Sequence, residues 1–461
     1  MMRNHRLRVL TLTALLTALL TVLPNARADN LVDVYRLALQ NDNAWSAAQN
    51  DYHANLEKDT QGRSLLMPNI TAGANYYKNE LDSTLTSPVT GSVISSGHFW
   101  YDSKGYTLQL VQPLFREPAF AAYSQGKIAV TQAEAQLALA RQDLILRTAQ
   151  AYFDVLAAQD TLEFARSQKA AIKGQYDLSR RNFEVGNATI VDVHAAQARY
   201  DIAAAQEVSA DSDLQVKQEA LATITNSPIA VLAPLAPKMA LAAPAPADPE
   251  EWVKAATDQN LQIKVQESLL SIAEQEVSKN RGGHYPTLDL VAARIYSDAG
   301  ASVVNLGIES TTNQVGLQLN VPIYQGGYVQ SKMRESVARR EQARDNLSLA
   351  RRQTTRQTRE AYLAVTSGGA RVQALEQALV STQKALDSTL IGYESGVRTG
   401  VDVLNAQSDV YRTKNDLSQA RYAYIVSRLR LKAAVGTLND GDLGEANALL
   451  AAAPAPAGAK P

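Results

Sequence analysis

From Gln314 to Val321 apolar and polar residues alternate without a break: Val315, Leu317, Leu319 and Val321 on one side, Gln314, Gly316, Gln318 and Asn320 on the other. A period of two over about nine residues predicts a β-strand with one apolar face, the length and pattern of a strand in an outer-membrane barrel. The same alternation runs through Ile70, Ala72, Ala74 and Tyr76, through Tyr106, Leu108 and Leu110, and through Leu288, Leu290 and Ala292. An amphipathic sheet in a soluble domain shows this pattern too. The aromatics close by (Tyr76, Tyr77, Trp100, Tyr101, Tyr106, Phe115, Tyr285, Tyr296, Tyr324) favour the membrane, because such barrels carry aromatic girdles at both interfaces. The joining segments 79–104 and 297–312 are polar and rich in Ser, Thr and Gly, and read as outward-facing loops.

A different period governs most of the chain. Leu144, Thr148, Ala151, Val155, Ala158 and Leu162 alternate steps of four and three, and Val365, Val372, Leu379, Leu386 and Tyr393 recur every seven residues. These are coiled-coil seams, and their alanines allow close packing. No proline follows Pro118 before Glu184, which predicts a helix of nearly 70 residues, about 100 Å long at roughly 1.5 Å per residue. A helix of that length survives only by packing along its length. Gly186 and Gly396 are placed to end the long helices, and Thr189 and Thr399 to cap shorter ones over about 189–224 and 399–435. Each half therefore contains a helical hairpin. Shorter helical stretches over about 31–66 and 249–280 precede the strands.

The chain is one unit written twice. Phe183-Glu184-Val185-Gly186 with Thr189-Ile190-Val191-Asp192-Val193 returns as Tyr393-Glu394-Ser395-Gly396 with Thr399-Gly400-Val401-Asp402-Val403, an offset of 402 − 192 = 210 residues. That period is too long for a solenoid and indicates a duplicated half-molecule. The expected organisation is a signal peptide (1–28), a first repeat (29–226), an Ala/Pro connector (227–249), a second repeat (250–439) and an Ala/Pro-rich tail (440–461).

Two strands per repeat give four per chain, whereas a membrane barrel must close and starts at about eight strands. The barrel must be shared between protomers: two chains give about eight strands filled by side chains, three give about twelve with room for a pore. Long helices continuing from the strands would extend the tube away from the membrane.

The N-terminus carries Arg3, Arg6 and Arg8, an apolar run from Val9 to Leu23, Pro24 and the small-x-small site Ala26-Arg27-Ala28. That is a secretory signal peptide, with the mature chain starting at Asp29. The apolar run is short for a membrane anchor, and no later stretch approaches the roughly 20 apolar residues of a spanning helix. With no cysteine, the chain has no disulfide, thiol chemistry or acylated N-terminal cysteine. A net charge of −1 with both signs interspersed argues against nucleic acid. The histidines His5, His53, His98, His194 and His284 lack metal-ligand spacing, and Gly282-Gly283 and Gly326-Gly327 lack a phosphate-loop pattern. Neither a catalytic, a cofactor nor a metal site is expected. Gly368-Gly369 either loosens the second long helix or permits close packing.

The stretch from Tyr393 to Ala406, with Ala420-Arg421-Tyr422-Ala423-Tyr424 and Ala434-Val435-Gly436-Thr437-Leu438-Asn439, resembles TolC-type outer-membrane efflux proteins. So do the strand exits Gln112-Pro113-Leu114-Phe115 and Val321-Pro322-Ile323-Tyr324. The resemblance covers essentially the whole mature chain. It implies an α+β membrane protein of the outer membrane, a homotrimer whose 12-stranded β-barrel, four strands per chain, continues as an α-helical coiled-coil tunnel through the periplasm. It also implies an exit duct that passes cargo unchanged, with a periplasmic adaptor, an inner-membrane transporter of ABC or RND type and outer-membrane lipid as partners. The alternative from another class is a secreted coiled-coil structural or adaptor protein without a barrel.

The two hairpin turns differ pointedly. Phe183 becomes Tyr393 and gains a hydroxyl; Ala188 becomes Arg398 and gains five donors. By analogy with the family, the second hairpin is the inner one at the tunnel tip, where Tyr393 would bond Asp192 and Arg398 would reach the turn near Val191 and Asp192. Asp402 can form a carboxylate ring on the three-fold axis, or, like Asp192, favour a helix N-terminus three residues after a capping Thr. The family pattern has a second acid where this chain has Asn405, so a single ring should bind multivalent cations more weakly. Mass spectrometry of the mature protein is expected to give Asp29 as its first residue; a retained apolar segment would identify an anchor instead.

Overall fold

A computed structural model describes residues 29–186, 188–228, 231–237, 239, 241–300 and 307–451. The signal peptide, the last ten residues and part of the connector lie outside the described residues. The elements are α1 (Leu31–Asn41), α2 (Asn43–Ser64), β1 (Asn69–Thr86), β2 (Val93–Phe115), α3 (Glu117–Glu184), α4 (Ile190–Thr225), α5 (Pro249–Gln259), α6 (Leu261–Arg281), β3 (Thr287–Ala299), β4 (Ile308–Asn320), α7 (Tyr328–Glu394), α8 (Gly400–Val435) and α9 (Asp440–Asn447). They form two compact units: one comprises Ala47–Leu139 and Gln259–Thr354, the other the chain up to Ser46, Ala140–Asp258 and Thr355 onward. Each unit draws on both sequence repeats.

The first of these units holds an antiparallel sheet in the order β1-β2-β3-β4. Its register stacks Ile70, Leu110, Ala292 and Val315 in one row, and Leu290 with Leu317 and Leu288 with Leu319 in the next two. Opposite partners share a face, so the apolar sides of all four strands lie together. The other face carries Thr71, Gln109 and Gln314, then Thr107 and Thr312. The apolar face is bare: Val315, Leu317 and Leu319 are 77%, 67% and 63% exposed. The sheet also has two free edges, since β1 and β4 each pair on one side only.

At the helix-facing end Arg116 holds Asp289 through two bonds of 2.9 and 2.7 Å, and Gln112 Nε2 donates to the Leu66 carbonyl at 2.8 Å. A Cβ on Gly126 would lie 2.4 Å from the Lys58 carbonyl oxygen, so glycine is what lets α2 and α3 cross so closely.

The segment 79–104 corrects the sequence reading. It is mostly hairpin rather than loop, with β1 and β2 paired up to Thr86 and Val93, and only residues 87–92 turning. Polar pairs accompany this extension: Tyr76 Oη donates to Asp102 at 2.7 Å, Asn79 Nδ2 to Ser103 Oγ at 2.8 Å, and His98 Nδ1 meets Asp82 at 2.6 Å. Backbone pairing continues where the hydrophobic alternation stops. Likewise β3 and β4 run into the segment 297–312, where the loop was expected, and residues 301–306 of that segment lie outside the described residues.

In the second unit α1 buries Leu31, Val34, Tyr35 and Ala38. Its predicted continuation to residue 66 breaks at Asp42, whose carboxylate takes the Trp45 amide at 2.6 Å and two bonds from Arg147 at 3.0 and 3.2 Å. Burial opposes ionisation of Asp42, but Arg147 and the amides of Trp45 and Ala44 outweigh it and hold its carboxyl below the ordinary range. The second predicted single helix likewise divides, at Asn260 of the sheet-bearing unit, which caps α6 through the amides of Gln262 and Ile263.

The α7–α8 seam buries Val365 and Val372 with Leu417, Ala420, Tyr424 and Leu431. Helix α7 is unbroken at Gly368-Gly369, whose Cβ positions would lie 3.6 and 3.5 Å from the Tyr424 ring. Those are ordinary contact distances, so the pair lies against Tyr424 without a clash that would require glycine. The connector straps onto the helices, with Tyr152 Oη donating to the Ala233 carbonyl at 2.9 Å and Tyr424 Oη to Ala242 at 2.6 Å. Residues 440–447, expected as the start of the tail, form α9. Asn439 caps it, Leu443 is buried, and Tyr35 and Arg141 bond Asp440 at 3.1 and 2.6 Å.

The bare apolar face generates a direct test. Leu317→Arg should cost about 2–4 kcal/mol of membrane insertion if its row lies near the bilayer midplane, and Gln318→Arg on the polar face far less. Heat-modifiability of the assembled protein on gels reads the difference.

Candidate functional site

The two hairpin turns are built alike along the backbone. After α3, Gly186 adopts φ +81° and its amide donates to Phe183 O at 2.9 Å; after α7, Gly396 adopts φ +75° and its amide donates to Tyr393 O at 3.0 Å. Glycine is needed at both, because other residues resist left-handed backbone. Thr189 and Thr399 then cap α4 and α8. Each hydroxyl accepts the amide three residues on, and the carboxylate there accepts in return the threonine amide and hydroxyl. Asp192 and Asp402 are the returning carboxylates. The helix-start reading of both acids is therefore realised in the single chain. The Asp402 carboxyl is held below its ordinary range, first by the Thr399 amide, then by the Thr399 hydroxyl and the charge of Arg398.

The side chains differ. The amides of Val397 and Arg398 both donate to the Gly392 carbonyl, at 2.9 and 3.0 Å. A Cβ on Gly392 would sit 2.8 Å from Arg398 Cγ, so this glycine makes room for the arginine stem against the end of α7. The first repeat has Asn182 at the matching position, 392 − 210 = 182, and no arginine to accommodate. Within one chain the predicted links are not made. The Asp192 Oδ2 that accepts is occupied by Thr189, and neither Tyr393 nor Arg398 bonds it among the described residues.

Asn405, in place of the expected acid, accepts a hydrogen bond from Arg199 Nη2 at 3.0 Å. That bond is the lowest step of a polar ladder tying the first hairpin to α8. Gln168 Nε2 donates to Ser408 Oγ at 3.1 Å, Thr161 Oγ1 to Asn415 Oδ1 at 2.8 Å, and Ser418 and Tyr422 both donate to Asp160, Tyr422 at 2.9 Å. Nearer the turn, Gly400 lies against Gln175 and Ser179, and Leu404 packs with Ile172, Ala196 and Ala203. Sequence reasoning missed the ladder, although its signal was present. Thr161, Gln168 and Gln175 recur every seven residues on α3, as do Ser408, Asn415 and Tyr422 on α8. Polar residues at coiled-coil spacing fix register.

A sheet with one apolar face and two free edges, joined to long helical hairpins with these turns, defines a channel-tunnel of the outer membrane. The family described as outer membrane efflux protein matches residues 34–227 and 252–437, and the chain belongs to it. The chain is 33% identical over 423 residues to the outer membrane protein TolC of Vibrio cholerae, covering 91% of this chain and 94% of that protein. It is 32% identical over 432 residues to the alkaline protease secretion protein AprF of Pseudomonas aeruginosa, covering 92% and 88%. Among solved structures, the Campylobacter jejuni CmeC outer membrane channel superposes with a TM-score of 0.76 at 17% identity, covering 92% of this chain and 90% of that one. CusC superposes with a TM-score of 0.74 at 15% identity, covering 89% and 92%. These two likenesses carry the fold. The protein is an outer-membrane exit duct, and its family and relatives are channel proteins rather than enzymes.

The capping geometry sets a pH dependence. A carboxyl whose folded pKa is lowered stabilises the fold above its unfolded pKa, about 3.9, and loses that contribution as pH falls through the folded value. Asp402→Asn is therefore expected to speed hydrogen exchange at the start of α8 near neutral pH, with the difference from wild type fading below about pH 4. A difference that persists at lower pH would remove the carboxylate from the cap.

Proposed function

We propose that the protein is the trimeric exit duct of a tripartite efflux or type I secretion system. Three copies close a barrel of about twelve strands, enough to leave a pore where two copies would not. The two free sheet edges are the observation that supports this reading: β4 of one copy meets β1 of the next, and no edge is left in the bilayer. A periplasmic adaptor and an inner-membrane transporter deliver the cargo, which crosses the outer membrane without chemical change. Protein cargo is favoured. AprF, named for alkaline protease secretion, is 32% identical over 92% of the chain, whereas the Pseudomonas putida toluene efflux pump protein TtgF is 24% identical over 81%.

The hairpin turns form the periplasmic gate in this proposal. Tyr393 and Arg398 reach Asp192 of a neighbouring copy, since neither finds it within its own chain, and the second hairpin moves outward when these links break. Asp402 contributes one carboxylate ring, and Asn405, held by Arg199, contributes none.

Single-channel conductance in planar bilayers tests both layers. Wild type should conduct weakly, and Arg398→Ser or Tyr393→Phe should raise the conductance severalfold. Equal conductances would keep the duct and remove these residues from the gate; no channels from folded protein would remove the duct.

A further inference from the structure

Between the Tyr106–Tyr296 row and the helices, one charged side chain lies on the apolar face of the sheet. β3 presents Leu288, Leu290, Ala292, Arg294, Tyr296 and Asp298 on that side, and Arg294 is exposed. Its cross-strand neighbours are Leu108 on β2 and Asn313 on β4, with Ala72 beyond Leu108. The row on the helix side is Ile70, Leu110, Ala292 and Val315; the row on the other side holds Tyr106 and Tyr296, stacked with centroids 5.1 Å apart. The guanidinium thus belongs to the hydrocarbon side of an aromatic row.

Among the described residues no carboxylate serves it. Asp298 lies four residues further along β3, and Glu309 four residues from Asn313 along β4, each about 13 Å away at roughly 3.3 Å per residue. Both already have partners: Lys104 Nζ is 3.1 Å from Asp298, and Tyr296 Oη donates to Glu309 at 3.1 Å. Arg294 has no ion pair among the described residues. A neighbouring copy added at the β4 edge would still be separated from β3 by β4 itself.

We infer that Arg294 binds a phosphate of an outer-leaflet lipid headgroup. The helices leave the opposite end of the sheet, so the Tyr106–Tyr296 row faces the outer leaflet. An arginine just inside an aromatic girdle extends its stem along the apolar surface and carries its charge to the interface. The anion at that depth is lipid phosphate, whose oxygens match the planar guanidinium fork. Asp298 and Lys104 cancel each other two rows above; Glu309 in that row is tied to Tyr296, and Asp102, one row further along β2, to Tyr76. This inference rests on the assignment of the apolar face to lipid.

The test is native mass spectrometry of the delipidated full-length trimer titrated with diphosphoryl lipid A, with its dephosphorylated form, and with inorganic phosphate as competitor. Wild type should bind diphosphoryl lipid A best. Arg294→Gln should weaken binding on the order of tenfold, the scale of one charge-assisted hydrogen bond, and Arg294→Lys should lie between. Undiminished binding by Arg294→Gln, equal binding of the dephosphorylated lipid, or full competition by inorganic phosphate at matched concentration would each overturn the lipid-phosphate site. Leu317→Trp in bilayers of brominated lipid tests the underlying face assignment separately. Strong quenching with undiminished lipid binding in Arg294→Gln sinks only the arginine's role, whereas absence of quenching sinks the face.

Discussion

Every backbone amide and carbonyl inside a bilayer must find a partner in protein, because hydrocarbon offers none. This chain brings four strands to that requirement and leaves both outer strands open on one side. The deficit dictates assembly: the sheet can enter the membrane only with its edges closed by further copies. The apolar face obeys the same logic. Side chains such as Val315 and Leu317, bare in the single chain, would be an aggregation hazard in water and are the required surface in lipid. Sequence alternation, open edges and exposed apolar rows are one constraint seen at three levels.

Outside the bilayer the constraint changes. Helices α3 and α7, of 68 and 67 residues, cannot rely on intrinsic propensity over such lengths and depend on their seams. Apolar seams alone permit sliding, since alanine-rich helices offer many similar registers. The polar ladder from Asp160 to Ser408 removes that freedom, because each displaced step would leave half-buried polar groups unpaired. Register matters here: a helix shifted by one turn would bring the wrong residues to the hairpin tip.

Local chemistry made much of the fold legible in the sequence. Gly186, Gly396, Thr189 and Thr399 mark the turns because left-handed backbone and helix N-termini demand particular residues. The alternating strands were readable where one face meets lipid. The β1–β2 extension through residues 79–104 was not, since Ser, Thr, Asn and Asp interrupt its apolar positions and the pairing that makes it a strand is a contact between segments. Asp42 looked like one more polar helix residue, and only Arg147, 105 positions away, shows why the chain breaks there. Helix α9 hid in an alanine-rich tail, although Asn439 and Asp442 spell a capping box. Sequence reading failed chiefly where a distant partner decides the outcome.

Duplication explains why the candidate gate is asymmetric. The backbone of the two turns, from positive-φ glycine to capping box, was copied intact, and it is the part that must be kept for a hairpin to form at all. Side chains that do not serve the turn were free to diverge. Asn182 and Ala188 in the first copy correspond to Gly392 and Arg398 in the second, and this pair of differences works together, since the arginine stem occupies the space where a Cβ at residue 392 would be. A glycine near the end of a helix costs backbone entropy and has no use for the turn itself. Its presence beside Arg398 therefore argues that the arginine's placement, more than the hairpin's stability, shaped the second copy.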